Sequence, residues 1–225
     1  MTSNSKDIRV HIGAGGIYLK GYENLDVPID EFYFAKSRPD IVRENITTIE
    51  NYYKDPYYNN YYERFKLKLT GVKKLPKPKG EPSKNLKRRK MVIDQIAYAN
   101  NLPYKPNSVS EILAVQVFEH FGPSEAKQVL KHWWSLLRVG GKLIIDVPDV
   151  IETAHLLVLA ETEEEKGWAE KLIHGTRNNE FAYHKAGYWP KKLERMLQEA
   201  GFTSIKVNNQ INHQYPAFSM EAIKK

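Results

Sequence analysis

The feature that most constrains this chain is the run Ile8-Arg9-Val10-His11-Ile12-Gly13-Ala14-Gly15-Gly16, followed by a second short apolar segment that ends in Asp26. An apolar run of β type enters a glycine cluster with no spacer, and the acid follows about a dozen residues later. Glycine tolerates positive φ and has no Cβ, so the backbone can turn sharply and approach a ligand closely there. An ionised carboxylate offers only acceptor sites, which suits the paired hydroxyls of a ribose. The pattern predicts strand, glycine turn, strand, with His11, Gly13, Ala14, Gly15 and Asp26 around a ligand.

A dinucleotide fingerprint of the form G-x-G-x-x-G would need glycine at position 18 and an acid about 20 residues on. Tyr18 stands there and the acid comes early, which weighs against a hydride-transfer site. A tight turn with no ligand is the plain alternative, since glycine clusters also serve ordinary turns.

At 225 residues the chain suits one domain with a real core. It has no cysteine, so disulfides, thiolate metal sites and cysteine nucleophiles are excluded. No apolar run approaches the ~20 residues that span a bilayer, and residues 1–7 lack a signal-type stretch, so a soluble cytoplasmic protein is expected. The net charge of +7 describes solubility and weak attraction, not recognition.

Residues 31–90 break the pattern and read as an insertion between the second and third strands of a single domain. Tyr52, Tyr53, Tyr57, Tyr58, Tyr61 and Tyr62 come first, then Lys73-Lys74-Leu75-Pro76-Lys77-Pro78-Lys79-Gly80 and Lys87-Arg88-Arg89-Lys90. A helix around Ile41 to Arg64 is expected, its tyrosines partly packed on the sheet. An extended basic loop containing Pro82 would follow. Aromatics interleaved with basic residues can stack bases and hold phosphates. A solvated loop or a lid over the site accounts for them equally simply.

Beyond the insertion, Met91 to Ala99 reads as the third strand and Ser110 to Phe121 as an apolar strand opening into a polar corner. A helix runs from Pro123 with Ala126, Val129, Leu130, Trp133, Trp134 and Leu137 on one face. Gly140 and Gly141 stop it before a strand at Leu143–Asp149. Helical periodicity then spans Val150 to about Ile173, interrupted by Glu161-Thr162-Glu163-Glu164-Glu165. A loop dense in polar and aromatic groups follows, then a helix over Lys191–Ala200 and two closing strands. Strands alternating with helices predict a doubly wound α/β sheet.

The run H-x-G-x-G-x-x-x-L-x-G-Y-x-N-x-D over residues 11–26 resembles motif I of the class I S-adenosylmethionine-dependent methyltransferases, in a compact subgroup. The resemblance continues in Val117-Phe118-Glu119-His120-Phe121, in the run from Leu136 to Asp149, in the loop from His174 to Tyr188 and in Ala200-Gly201-Phe202. It covers residues 8–27 and 91–225. It implies a Rossmann-like, mostly parallel seven-stranded sheet with its last strand antiparallel, and S-adenosylmethionine as cofactor. Tyr98 holds the place of the usual acid near the adenine, so Asn100, Asn101 and Leu102 are expected there instead, with Gln116 and Val117 at the end of the fourth strand.

His120 is the candidate nearest the transferred methyl, and His184 is a second candidate base. Each could also simply fix its loop. Asp149, Arg177, Tyr183 and Trp189 are candidate acceptor contacts, Asp149 being equally suited to capping a helix. No metal is expected, because His174 and His184 are ten residues apart and lack an evident third ligand. The expected activity is methyl transfer to an oxygen or nitrogen of a small or phosphate-bearing molecule, a sugar or sugar nucleotide of polysaccharide or secondary-metabolite assembly first. A nucleic acid held by the basic insertion is the second reading, and a non-catalytic cofactor- or partner-binding module the third.

Overall fold

The computed structural model describes residues 7–28, 31–53, 60–77, 90–211 and 213–225. The expectations for Tyr57, Tyr58, Pro78, Lys79, Gly80, Pro82 and Lys87 to Arg89 lie outside these residues. Seven strands build the main sheet: β1 (Ile8–Ile12), β2 (Glu23–Asp26), β3 (Gln95–Ile96), β4 (Val109–Val115), β5 (Leu137–Pro148), β6 (Phe202–Asn208) and β7 (Ala217–Lys224). Their spatial order is β6-β7-β5-β4-β1-β2-β3. β7 runs antiparallel to both neighbours, and every other pairing is parallel. The chain thus winds outward from β1 to β3, then returns to β4 on the other side of β1. That reversal makes a switch point between β1 and β4, where open α/β sheets bind ligands at the carboxyl ends of the strands.

Six helices accompany the sheet among the described residues: α1 (Pro39–Asn45), α2 (Tyr61–Leu69), α3 (Pro123–Leu136), α4 (Val150–Leu159), α5 (Glu163–His174) and α6 (Pro190–Glu199). On one face of the sheet α3 and α6 bury Val129, Leu130, Trp133, Leu193 and Leu197 against Val10, Ile12, Ile112 and Ile145. Trp133 is fully buried and its indole N–H donates to the carbonyl of Ala99 at 2.7 Å. Trp134 sits at the edge, its indole reaching the carbonyl of Gly201 at 3.3 Å.

The other face is covered differently. The link from β1 to β2 is too short to hold the crossover helix that parallel strands ordinarily use. The insertion supplies the cover: Ile49 and Tyr52 pack with Leu19, Tyr22, Leu113, Val115 and Ile144. The long helix expected over Ile41–Arg64 is therefore replaced by α1, a single 3-10 turn at Ile49–Asn51, and α2.

Two strand boundaries also differ from expectation. Met91–Ile93 pairs with Phe32–Phe34 in a separate small sheet, and only Gln95–Ile96 joins the main one. The break falls at Asp94, whose carboxylate accepts from the Tyr18 hydroxyl and the Asn24 amide, both at 2.8 Å. β5 begins at Leu137, where α3 ends, because a register shift against β4 lets the strand carry its glycine pair. Gly140 sits there at φ 74°.

The acidic cluster that interrupts the helical periodicity has partners in the insertion. Arg64 of α2 donates from Nε to Glu165 at 2.7 Å, both side chains almost wholly buried, and lies 3.4 Å from Glu161. Lys68 approaches Glu161 at 3.2 Å. Glu165 in turn accepts from the Glu161 amide, and Thr162 caps α5 through the Glu165 amide. No helix among the described residues is long and apolar enough to cross a membrane.

Removing one partner of a buried ion pair leaves the other charge uncompensated, whereas replacing both by apolar residues is often neutral. Arg64→Met is expected to lower the unfolding free energy by about 3 kcal/mol in urea. The double variant Arg64→Met, Glu165→Leu should recover most of that loss.

Candidate active site

The carboxyl ends of β1, β2 and β4 open onto one cleft of about 260 Å³. Gly13, directly after β1, has φ 71°, and a Cβ there would meet Val117 Cγ2 at 2.3 Å. Both the left-handed backbone and the close approach therefore call for glycine. The amides of Gly13 and Ala14 donate to the Leu25 carbonyl at 3.0 and 3.1 Å, tying the turn to β2. Asp26, 8% exposed, accepts from the Gly15 amide at 2.6 Å and the Val27 amide at 2.7 Å. Burial pushes its pKa above the usual carboxylate range, against the pull of these two amides. Each oxygen keeps acceptor capacity toward the cleft.

At the end of β4 the chain turns through Gln116, a non-glycine residue at φ 54°. Asp146 of β5 holds it there: its carbonyl accepts from the Gln116 amide and its carboxylate from the Gln116 side chain, both at 2.9 Å. Asp146 is fully buried and also receives Ser219 and His213. The turn presents Val117 and His120 to the cleft.

His120 Nδ1 lies 2.9 Å from the Tyr183 carbonyl, and His184 Nδ1 lies 3.0 Å from that of Leu172. Their rings are edge to face at 5.1 Å. Desolvation lowers both pKa values, that of His184 to about 4 with further help from His120. Glu119, between them, is buried, and burial drives its pKa well above the carboxylate range.

Gly13, Asp26, Asn100, Gln116, Val117 and His120 thus line one cleft. Other expected contacts lie elsewhere. His11 is fully buried, its Nδ1 on Asn24 and its Nε2 on the Tyr52 hydroxyl, each at 2.9 Å, so its ring fixes the sheet's second face and is closed to a ligand. Ala14 is buried, and Gly15 acts through its amide on Asp26. Asn101 only closes a turn onto Tyr98, and Leu102 is buried with its amide on His132. Asp149 caps α4 by accepting from the amides of Ile151 and Glu152. Arg177 is paired with Glu170 at 2.8 Å. Tyr183 contributes a carbonyl, not its ring, to His120. Trp189 stands at the start of α6, where Lys192 lies 5.2 Å over its ring.

Tyr98, Phe181 and Lys185 line the cleft instead, the two rings 6.3 Å apart. Only Tyr98 drew attention in the sequence, as an aromatic in an acid's place. Phe181 and Lys185 lie in the polar-aromatic loop, whose composition marks it as functional without saying which side chains turn inward.

The model of the methyltransferase domain family matches residues 57–145, from within the insertion to the middle of β5. Over that stretch the chain resembles a methyltransferase domain. The match embraces Tyr98, Asn100 and the Gln116–His120 turn, and the glycine turn precedes it. Comparison with curated proteins returns no match. Among solved structures, the chain is similar to an S-adenosylmethionine-dependent methyltransferase of Thermotoga maritima, described as a possible histamine N-methyltransferase, at 14% identity and TM-score 0.47, over 97% of this chain and 82% of that one. It is similar to an S-adenosylmethionine-dependent methyltransferase of Methanosarcina mazei at 15% identity and TM-score 0.46, over 98% and 93%. It is also similar to human N-acetylserotonin methyltransferase in complex with S-adenosylmethionine at 11% identity and TM-score 0.40, over 63% of this chain and 36% of that one.

His11 links the domain's stability to pH. Burial lowers its pKa from 6.5 to about 4. Between those values the unfolded chain binds more protons than the folded one, so stability rises with pH and is lost as pH falls through that window. His11 alone should contribute a loss of about 2 kcal/mol between pH 7 and pH 5. Denaturant melts at the two pH values check this, with a visibly smaller difference in His11→Gln.

Proposed function

We propose that the domain transfers the methyl group of S-adenosylmethionine to an oxygen or nitrogen of a small phosphate-bearing molecule, a sugar or sugar nucleotide being the class that fits best. One observation carries the reading: the same cleft takes in an acceptor-only carboxylate at β2 and a basic, aromatic lining from the residues after β3 and the loop after α5. On the β2 side, Asp26 is the group for the ribose hydroxyls, and the glycine turn lets the backbone approach the cofactor. In the same cleft Tyr98, just after β3, and Phe181 of the loop after α5 offer flat apolar surface, and Lys185 of that loop offers a cation for a phosphate.

S-adenosylmethionine brings a methyl already activated by its sulfonium, so the protein's main task is alignment of the nucleophile, an effect worth several kcal/mol. Gln116, locked by Asp146, and His120, locked by the Tyr183 carbonyl, form a rigid wall for that purpose. With Nδ1 occupied, the His120 and His184 Nε2 atoms are the positions left to hold or take a proton. Their lowered pKa values make both weak bases at neutral pH, which places positioning ahead of proton abstraction. The nucleic-acid reading draws on the whole Tyr- and Lys-rich insertion, of which residues 54–59 and 78–89 lie outside the described residues.

Release of S-adenosylhomocysteine, followed across sugars, sugar phosphates and sugar nucleotides, tests the proposal. Turnover is expected with the phosphate-bearing acceptors. Lys185→Ala should raise their KM about 10-fold or more, the worth of one charge-assisted hydrogen bond, with little change in kcat. Turnover confined to unphosphorylated acceptors, or an unchanged KM in the variant, would refute the acceptor assignment.

A further inference from the structure

Glu119 is 1% exposed, and neither of its carboxylate oxygens has a hydrogen-bond partner. A buried carboxylate in that condition is costly unless something compensates it. Two imidazoles stand close by, those of His120 and His184. Their Nδ1 atoms face backbone carbonyls, which only accept, so both rings carry the proton on Nδ1 and present a bare lone pair at Nε2. Those Nε2 atoms lie 4.0 Å (His120) and 3.9 Å (His184) from Glu119 Oε1. Three ligand atoms thus converge within 4.8 Å of one another, all of them acceptors.

A proton would remove the charge but leave the acid's O–H without an acceptor, since both rings stand beyond hydrogen-bond reach of Glu119. A cation resolves both. Neutral imidazole nitrogens and a carboxylate are the donor set of divalent first-row transition metals. Metal-ligating histidines characteristically donate their other ring N–H to a carbonyl or carboxylate, as both rings do here. Bonds of about 2.1 Å in tetrahedral geometry set ligand atoms roughly 3.4 Å apart, so on binding an ion the edges to Glu119 close by about half an ångström and the wider separations, up to 4.8 Å, by more than one. His174, whose spacing to His184 gave no reason to expect a metal, is not part of the set; His120 stands beside His184 instead.

We propose that Glu119, His120 and His184 bind a divalent transition metal ion such as Zn²⁺, leaving a coordination position open toward the cleft. His120 lines that cleft, so the open position faces the reacting region. The ion's role rests on the proposed methyl transfer: it would hold the acceptor oxygen and lower its pKa, work that weak histidine bases do poorly. Binding of the ion does not rest on that reading.

The test is titration of chelator-treated, tag-free protein with Co²⁺, followed by visible absorption, and with Zn²⁺, followed by calorimetry and thermal melting. Expected are one ion per chain at micromolar affinity or better, and a Tm raised by Zn²⁺. Glu119→Gln should weaken binding about 100-fold or more. His184→Ala gives the same readout where the first variant does not fold by circular dichroism. Absence of stoichiometric binding, or binding unchanged in the folded variants, overturns the site. Metal binding without turnover on any acceptor would refute the proposed function alone; turnover without metal binding would refute this inference alone.

Discussion

The cleft depends on one carboxylate held by two backbone amides. Asp26 receives Gly15 and Val27, and through Gly15 it dictates where the glycine turn goes. The turn can answer because Gly13 reaches a left-handed conformation against Val117, and because the amides of Gly13 and Ala14 close onto the carbonyl beside Asp26. β1, β2 and the β4 turn are thereby locked around a common opening. The groups that stay available there are an acceptor-only acid and a rigid turn, which is the minimum a nucleoside-bearing cofactor requires.

That economy has a structural cost elsewhere. A link between β1 and β2 this short leaves the sheet's second face without a crossover helix. The insertion covers it with Ile49, Tyr52 and Tyr53, and His11 joins cover to sheet by bonding Asn24 on one side and Tyr52 on the other. The insertion is tied down again by Arg64 on Glu165. The tyrosine-rich segment therefore works in the described residues mainly as architecture, and the acidic cluster that appeared to interrupt a helix is its counterpart.

The fold class was legible because its signals are local: apolar runs, glycine turns and amphipathic periods read within windows of a few residues. The doubly wound sheet follows from them, while the seven strands with the last antiparallel were what the family resemblance implied. What escaped the sequence depends on contacts far apart in the chain. Asp94 breaks the third strand by bonding Tyr18 and Asn24. His11 looks like a member of the glycine motif, but strand alternation turns it to the opposite face from the cleft. Histidines ten residues apart drew attention as a pair, while the grouping with Glu119 forms only when the loop after α5 folds back onto the β4 turn. Asp149 and Arg177 carry the right chemistry for an acceptor, yet a helix end and a neighbouring glutamate already occupy them.

On the proposed function, this cleft holds S-adenosylmethionine through Asp26. Calorimetric titration with S-adenosylhomocysteine, on wild type and on Asp26→Asn, tests it most directly. Micromolar binding by the wild type that falls about 10-fold or more in a folded variant is the result expected for loss of a charged hydrogen-bond acceptor. Equal affinity in both proteins, or no binding to the folded wild type, would contradict the account.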